Sequence, residues 1–174
     1  MTETLTALGR DLVEASVLRG EFVLRSGARS SYYIDKYLFT TRPELLTRLA
    51  AELAARLPAG VQRIAGTVLG AIPLATALSL TSGLPMVMIR TEKKDYGTAK
   101  QLEGALQPGE RALLVEDVVT TAGAALAAVE VLRNAGAEVV GALAVVDREE
   151  GGAEAFAKAG VPFDALFTKT SLGL

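Results

Sequence analysis

The stretch Glu116-Asp117-Val118-Val119-Thr120-Thr121-Ala122-Gly123-Ala124 puts two carboxylates, two hydroxyls and a run of small residues in strict succession. It follows the apolar Leu113-Leu114-Val115 and precedes a helical pattern that runs to about Asn134. A helix start offers unpaired N–H groups and the positive end of a dipole, which together suit a dianionic phosphate. Thr120 and Thr121 add hydroxyl donors, and Ala122, Gly123 and Ala124 let the backbone approach closely. Glu116 and Asp117, just ahead, can accept hydrogen bonds from two vicinal hydroxyls. The chemistry is that of a ribose 5-phosphate cradle. An ordinary strand-to-helix turn, with Thr as the cap and the acids in solvent, accounts for the acids alone but not for the whole ordered set.

Histidine and cysteine are both missing from the 174 residues. That excludes Ser-His-Asp triads, imidazole and thiolate metal sites, disulfides and a cysteine nucleophile. Chemistry must then run on carboxylates, Lys, Arg, hydroxyls and backbone dipoles, an inventory suited to phosphate-centred reactions. The formal charge of -2 gives no general reason to expect nucleic-acid binding. With 50% hydrophobic and 22% charged residues the chain can bury one core, so a single domain over residues 1 to 174 is expected. No apolar run reaches the roughly 18 residues that cross a bilayer. The start MTETLTALGRD lacks the basic and apolar regions of a secretory leader, so the expectation is a soluble cytoplasmic protein with no membrane partner.

The elements that must position these groups follow from periodicity. Leu5, Leu8, Leu12 and Ala15 recur at helical spacing and predict an amphipathic helix over 3 to 18. Short strands at 21 to 25 and 30 to 35 flank the turn Ser26-Gly27-Ala28-Arg29, a hairpin-like insert. Pro43 opens a helix to 57 in which Leu45, Leu46, Leu49, Ala50, Leu53 and Leu57 share a face. Apolar stretches at 63 to 68, 85 to 89, 112 to 115 and 139 to 146 alternate with helical patterns at 71 to 82 and 122 to 135. This alternation predicts an open, mostly parallel α/β sheet with helices on both faces. Such sheets bind ligands beyond the carboxyl ends of their strands, here the loops 68 to 73, 90 to 104, 116 to 124 and 147 to 151.

Residues 90 to 104 are too polar and too long for a tight turn, which suggests a mobile lid hinged at Gly97 and Gly104. Its cations, Arg90, Lys93, Lys94 and Lys100, would neutralise a polyphosphate; a solvated charged excursion is the alternative. The loop Val68-Leu69-Gly70-Ala71-Ile72-Pro73 opens a helix whose N–H groups suit phosphate oxygens, although a plain tight turn fits it nearly as well.

The segment from Val115 to Ala124 resembles the phosphoribosyl pyrophosphate (PRPP) signature of type I phosphoribosyltransferases. The resemblance implies that Glu116 and Asp117 hold the ribose hydroxyls, while Val118, Val119, Thr120, Thr121, Ala122, Gly123 and Ala124 wrap the 5-phosphate. Two further segments are similar to orotate phosphoribosyltransferases. Phe22-Val23-Leu24-Arg25-Ser26-Gly27-Ala28-Arg29-Ser30-Ser31-Tyr32-Tyr33-Ile34-Asp35 matches their amino-terminal hood, and Val145-Val146-Asp147-Arg148-Glu149-Glu150-Gly151 their late strand ending in Asp-Arg. With the motif spacing, the resemblance covers nearly the whole chain. It implies the type I phosphoribosyltransferase fold with a small hood from about 18 to 40 and 160 to 174. It also implies transfer of ribose 5-phosphate from PRPP to orotate, with Mg2+ as cofactor and pyrophosphate leaving, in pyrimidine biosynthesis.

Orotate carries a carboxylate, and Arg148 suits a charge-assisted, bidentate contact with it. An exposed Arg148 paired with Glu149 or Glu150 is the competing reading. By resemblance, Arg25 lies near orotate and pyrophosphate, Tyr33 and its neighbour Tyr32 serve the base pocket, and Thr120 touches base as well as phosphate. The resemblance further makes the chain a homodimer whose lid closes over the neighbouring subunit. Arg90 and Lys94 fall on matching lid positions, but Thr91 and Tyr96 stand where members commonly carry Lys and His. Lys93 would replace the missing amine, and the Tyr96 hydroxyl would keep a hydrogen bond without positive charge. Gly70 stands where some relatives carry Lys, which leaves backbone contacts there.

The implied reaction is displacement at the anomeric carbon by orotate N1, with Arg90, Lys94 and Asp117 as the catalytic set. Mg2+ would be held mainly through PRPP, near Asp117. Transfer to another base and non-catalytic PRPP binding by a regulator are the alternatives. Arg25 and Arg148 argue against a neutral purine, and no recognisable basic DNA-reading element supports a transcriptional regulator.

Overall fold

The computed structural model describes residues 3–23, 27, 29–90 and 101–174. Arg25, Lys93, Lys94 and Tyr96 lie outside the described residues.

Helix α1 (Glu3–Ser16) buries Leu5, Leu8 and Leu12, and ends at Ser16 because Val17 already pairs with Ile34. That pair begins an antiparallel hairpin of β1 (Val17–Val23) and β2 (Arg29–Ile34), the separate two-stranded sheet of the hood. The Asp35 carboxylate accepts from the Tyr37 N–H at 3.1 Å and caps a short helix, α2 (Lys36–Thr40), that periodicity did not reveal. Helix α3 (Pro43–Ala54) opens at its proline and stops ahead of Leu57, since a residue preceding Pro58 is steered out of the helical region.

The remaining elements alternate: β3 (Arg63–Thr67), α4 (Ile72–Ser82), β4 (Met86–Ile89), β5 (Leu102–Glu103), β6 (Arg111–Val119), α5 (Gly123–Asn134), β7 (Glu138–Asp147), α6 (Gly152–Lys158) and β8 (Phe163–Thr168). One six-stranded sheet runs β5-β4-β3-β6-β7-β8, parallel except for the short β5 against β4. Side-chain alternation divides its strands between two cores. Leu113, Val115, Leu143 and Val145 pack with α1, α3 and α4, whereas Ala112, Leu114, Ala142 and Ala144 pack with α5 and α6. The open mostly parallel sheet with helices on both faces is therefore the fold.

The carboxyl-terminal segment, expected to share the hood, is divided. Phe163–Thr168 forms the edge strand β8 of the main sheet, because Leu166 and Phe167 are buried there beside β7. Only the turn at Thr170–Leu172 returns towards α1, where Leu172 packs on the core that contains Leu5 and Leu8. Among the described residues no helix is long and apolar enough to cross a membrane.

Candidate functional site

Strand β6 runs on through Val119 instead of ending at Val115, and this places the two acids. Neighbours in a strand point to opposite faces, so Glu116 and Asp117 do not share one. Glu116 faces a cleft of about 980 Å³ at the carboxyl ends of the strands. Its two carboxylate oxygens accept from the Thr67 hydroxyl of β3 at 3.0 and 2.9 Å. Burial, and then the neighbouring Asp117 charge, push the Glu116 pKa up to about 8, against the opposing pull of Thr67 and Lys36.

Asp117 is 2% exposed and does not line the cleft. Its Oδ1 accepts from the Val118 N–H at 2.6 Å, and its Oδ2 lies 3.0 Å from the Lys36 ammonium of α2. Burial works against the Lys36 charge, but Asp117 outweighs it and raises the lysine pKa. The expected pair of acids gripping one sugar is thus divided into a cleft-facing Glu116 and a Lys36-bound Asp117.

The loop after β6 lines the cleft from Val118 through Ala125. Ala122 is the N-cap of α5 with φ 61, a left-handed conformation that a non-glycine residue seldom adopts, and no side chain caps the helix. Neither threonine fills the role that an ordinary capped turn would give it. Thr120 and Thr121 hydroxyls make no hydrogen bond among the described residues, and the first-turn N–H groups of α5 have no side-chain acceptor. The cradle is polar and open where a phosphate is expected.

Arg148 enters the cleft from the end of β7. Its N–H donates to the Val119 carbonyl at 2.9 Å, and a Cβ on Gly152 would lie 2.6 Å from the Thr120 carbonyl oxygen. These contacts tie the arginine loop to the phosphate loop. The guanidinium sits 5.6 Å over the Tyr32 ring and pairs with Glu150 at 2.8 Å, yet its side chain is only 11% exposed. Its Nε is buried without a partner among the described residues. The competing pairing with Glu150 is therefore real, but it occurs inside the cleft rather than in solvent. Tyr33 lines the cleft near its rim, 42% exposed and 5.7 Å from the Phe22 ring, while Tyr32 serves as the platform under Arg148.

Arg90 lines the opposite wall, where Glu103 holds its Nε at 3.2 Å and its N–H donates to the Gln101 carbonyl at 2.8 Å. Both ends of the expected lid are thereby fixed beside the cleft. No group of three or more metal-ligating side chains occurs among the described residues. A magnesium ion that keeps waters and takes most of its oxygens from a substrate polyphosphate fits this donor set; a cage made of protein ligands does not.

Lys36 and Thr67 escaped the sequence reading. Both sit at element ends, and the only available signal was Thr67 closing an apolar strand at the level of Glu116.

The phosphoribosyl transferase domain model matches residues 42–160. Orotate phosphoribosyltransferase of Halobacterium salinarum is 48% identical over 167 residues, covering 93% of this chain and 95% of the relative. That of Methanocella arvoryzae is 47% identical over 153 residues, covering 88% and 87%. Among solved structures, orotate phosphoribosyltransferase of Aeropyrum pernix aligns with a TM-score of 0.84 at 36% identity, covering 95% of each chain. The Mycobacterium tuberculosis enzyme in complex with PRPP aligns at 0.81 and 32% identity, covering 98% and 99%. An uncapped helix start, a buried glutamate and a cleft arginine on this sheet have their counterparts in that group, and the chain belongs to the orotate phosphoribosyltransferase family.

Proposed function

We propose that this protein transfers the ribose 5-phosphate of PRPP to N1 of orotate, forming orotidine 5'-monophosphate and pyrophosphate in pyrimidine biosynthesis. The observation that carries the reading is one cleft holding both the uncapped start of α5 and the sheltered Arg148. Family membership fixes the direction of interpretation. The N–H groups from Thr121 to Ala124 take the 5-phosphate, with the Thr120 and Thr121 hydroxyls assisting. Glu116 accepts from a ribose hydroxyl once ionised, and Arg148 exchanges Glu150 for the orotate carboxylate over the Tyr32 face.

The anomeric C–O bond breaks as orotate N1 approaches, so negative charge grows on the departing pyrophosphate. Arg90 and the lid residues Lys93, Lys94 and Tyr96 are assigned to that charge, and Arg25 to the region between orotate and pyrophosphate. Mg2+ would neutralise part of the same charge, held by PRPP oxygens and water with Asp117 at most at its edge. The active unit is a cytoplasmic homodimer whose lid serves the neighbouring subunit, a reading supported by the family resemblance.

The test is an orotate absorbance assay with PRPP and Mg2+, run beside a panel of other bases. PRPP-dependent loss of orotate is expected; turnover of another base with none of orotate would overturn the substrate.

A further inference from the structure

Lys36 reaches the cleft from the hood, outside every segment to which the sequence assigned PRPP. It lines the cleft, and its side chain is 36% exposed. Its ammonium stands against the loop between β3 and α4. A Cβ on Gly70 would overlap Asp117 Oδ2 and lie 2.8 Å from both Cε and Nζ of Lys36. Gly70 thus leaves a bare face over which the lysine passes. Asp117 Oδ2 is buried, and among the described residues Lys36 is its sole ion-pair partner. An ammonium has three N–H donors, and Asp117 engages one. The other two have no acceptor among the described residues, and they sit beside the backbone loop at 68–71, on the side of the cleft away from α5.

A ribose whose 5-phosphate lies at α5 and whose hydroxyls meet Glu116 directs its anomeric substituent away from α5. We propose that Lys36 is a substrate-contacting residue, anchored by Asp117 over Gly70 so that its free donors meet the pyrophosphate of PRPP. This rests on the reading of the cleft given above. It also reassigns Asp117: the carboxylate is a positioning residue that holds a cation, rather than a second grip on the ribose. Lysine suits the task because its compact charge can serve a buried carboxylate and a phosphate oxygen together.

The reverse reaction separates this role from a structural one. Pyrophosphate is one substrate there, while orotidine 5'-monophosphate keeps the 5-phosphate and ribose hydroxyls. Lys36→Met retains length and loses charge. It is expected to raise KM for pyrophosphate about tenfold, the effect of one charge-assisted hydrogen bond, and to leave KM for the nucleotide nearly unchanged. Lys36→Arg should recover most of the loss. Gly70→Ala should produce the same pyrophosphate-selective defect with both charges present, and it carries the test if Lys36→Met fails to fold. An unchanged KM for pyrophosphate, or an equal rise for the nucleotide, overturns the proposal. Calorimetric titration of pyrophosphate with Mg2+ into wild-type and Lys36→Met proteins reads the contact whatever the base, so this proposal and the orotate assignment fail separately.

Discussion

The Thr67 hydroxyl lies within 3.0 Å of both carboxylate oxygens of Glu116, joining the end of β3 to the middle of the acid strand. Its removal leaves a buried carboxyl group without that hydrogen-bond donor, a loss of about 1–3 kcal/mol. Thr67→Val is therefore expected to raise KM for PRPP several-fold and leave KM for orotate close to wild type. Steady-state kinetics with each substrate varied in turn checks the selectivity.

The raised pKa of Glu116 gives a pH dependence of defined sign. Its folded-state value of about 8 exceeds the ordinary 4.5, so the native state binds the proton more tightly than the unfolded chain. That contribution to stability is complete below pH 4.5 and is lost as pH climbs towards 8. Urea midpoints should fall across this window, and Glu116→Gln should flatten the fall. A ribose hydroxyl favours the ionised carboxylate, so PRPP binding at neutral pH should release a proton. Calorimetry in buffers of different ionisation enthalpy measures it; proton uptake would contradict the assignment.

Ala122 occupies φ 61 while only 4% exposed. Glycine adopts this conformation freely and β-branched residues do not. Ala122→Gly should keep or raise the melting temperature. Ala122→Val should cost about 1–3 kcal/mol and weaken PRPP binding, because the strained residue sets the aim of the α5 N–H groups. Thermal melts with and without PRPP distinguish the two effects.

Arg148 lies between Glu150 and the Tyr32 ring, so its substitution should act on the base more than on the sugar. Arg148→Lys loses the planar fork and is expected to raise KM for orotate about tenfold, with a smaller change for PRPP. Glu150→Gln removes the resident carboxylate and should lower KM for orotate. A rise instead would mean that Glu150 orients Arg148 for the substrate.

Lys94→Ala should lower kcat by roughly two to three orders of magnitude, the scale of removing one transition-state donor. A near-normal kcat would assign the lid charge to another residue. If the lid acts across a dimer, mixing Lys94→Ala with Glu116→Gln should restore activity that neither protein has alone. Mixed-dimer assays read this directly.

The sheet was legible because Leu113-Leu114-Val115 and the run before Asp147 are apolar on both faces, as strands between two helical layers must be. Helix α6 and strand β8 were not, since Gly152–Lys158 is too short for a clear helical period and Phe163–Thr168 mixes exposed and buried residues. At the site, Thr120 to Ala124 and Arg148 were readable from order and spacing. The division of labour between Glu116 and Asp117 was not. It depends on where β6 ends, and a strand that runs on for four residues past Val115 turns one acid away from the cleft. Lys36 was invisible for a related reason: its role comes from a fold contact with Asp117 across 81 positions in sequence.

The most direct measurement is a crystal structure with PRPP and Mg2+ bound. The 5-phosphate should lie on the N–H groups between Thr121 and Ala124, with a ribose hydroxyl at Glu116. Density for the phosphate elsewhere, with this loop vacant, would contradict the account.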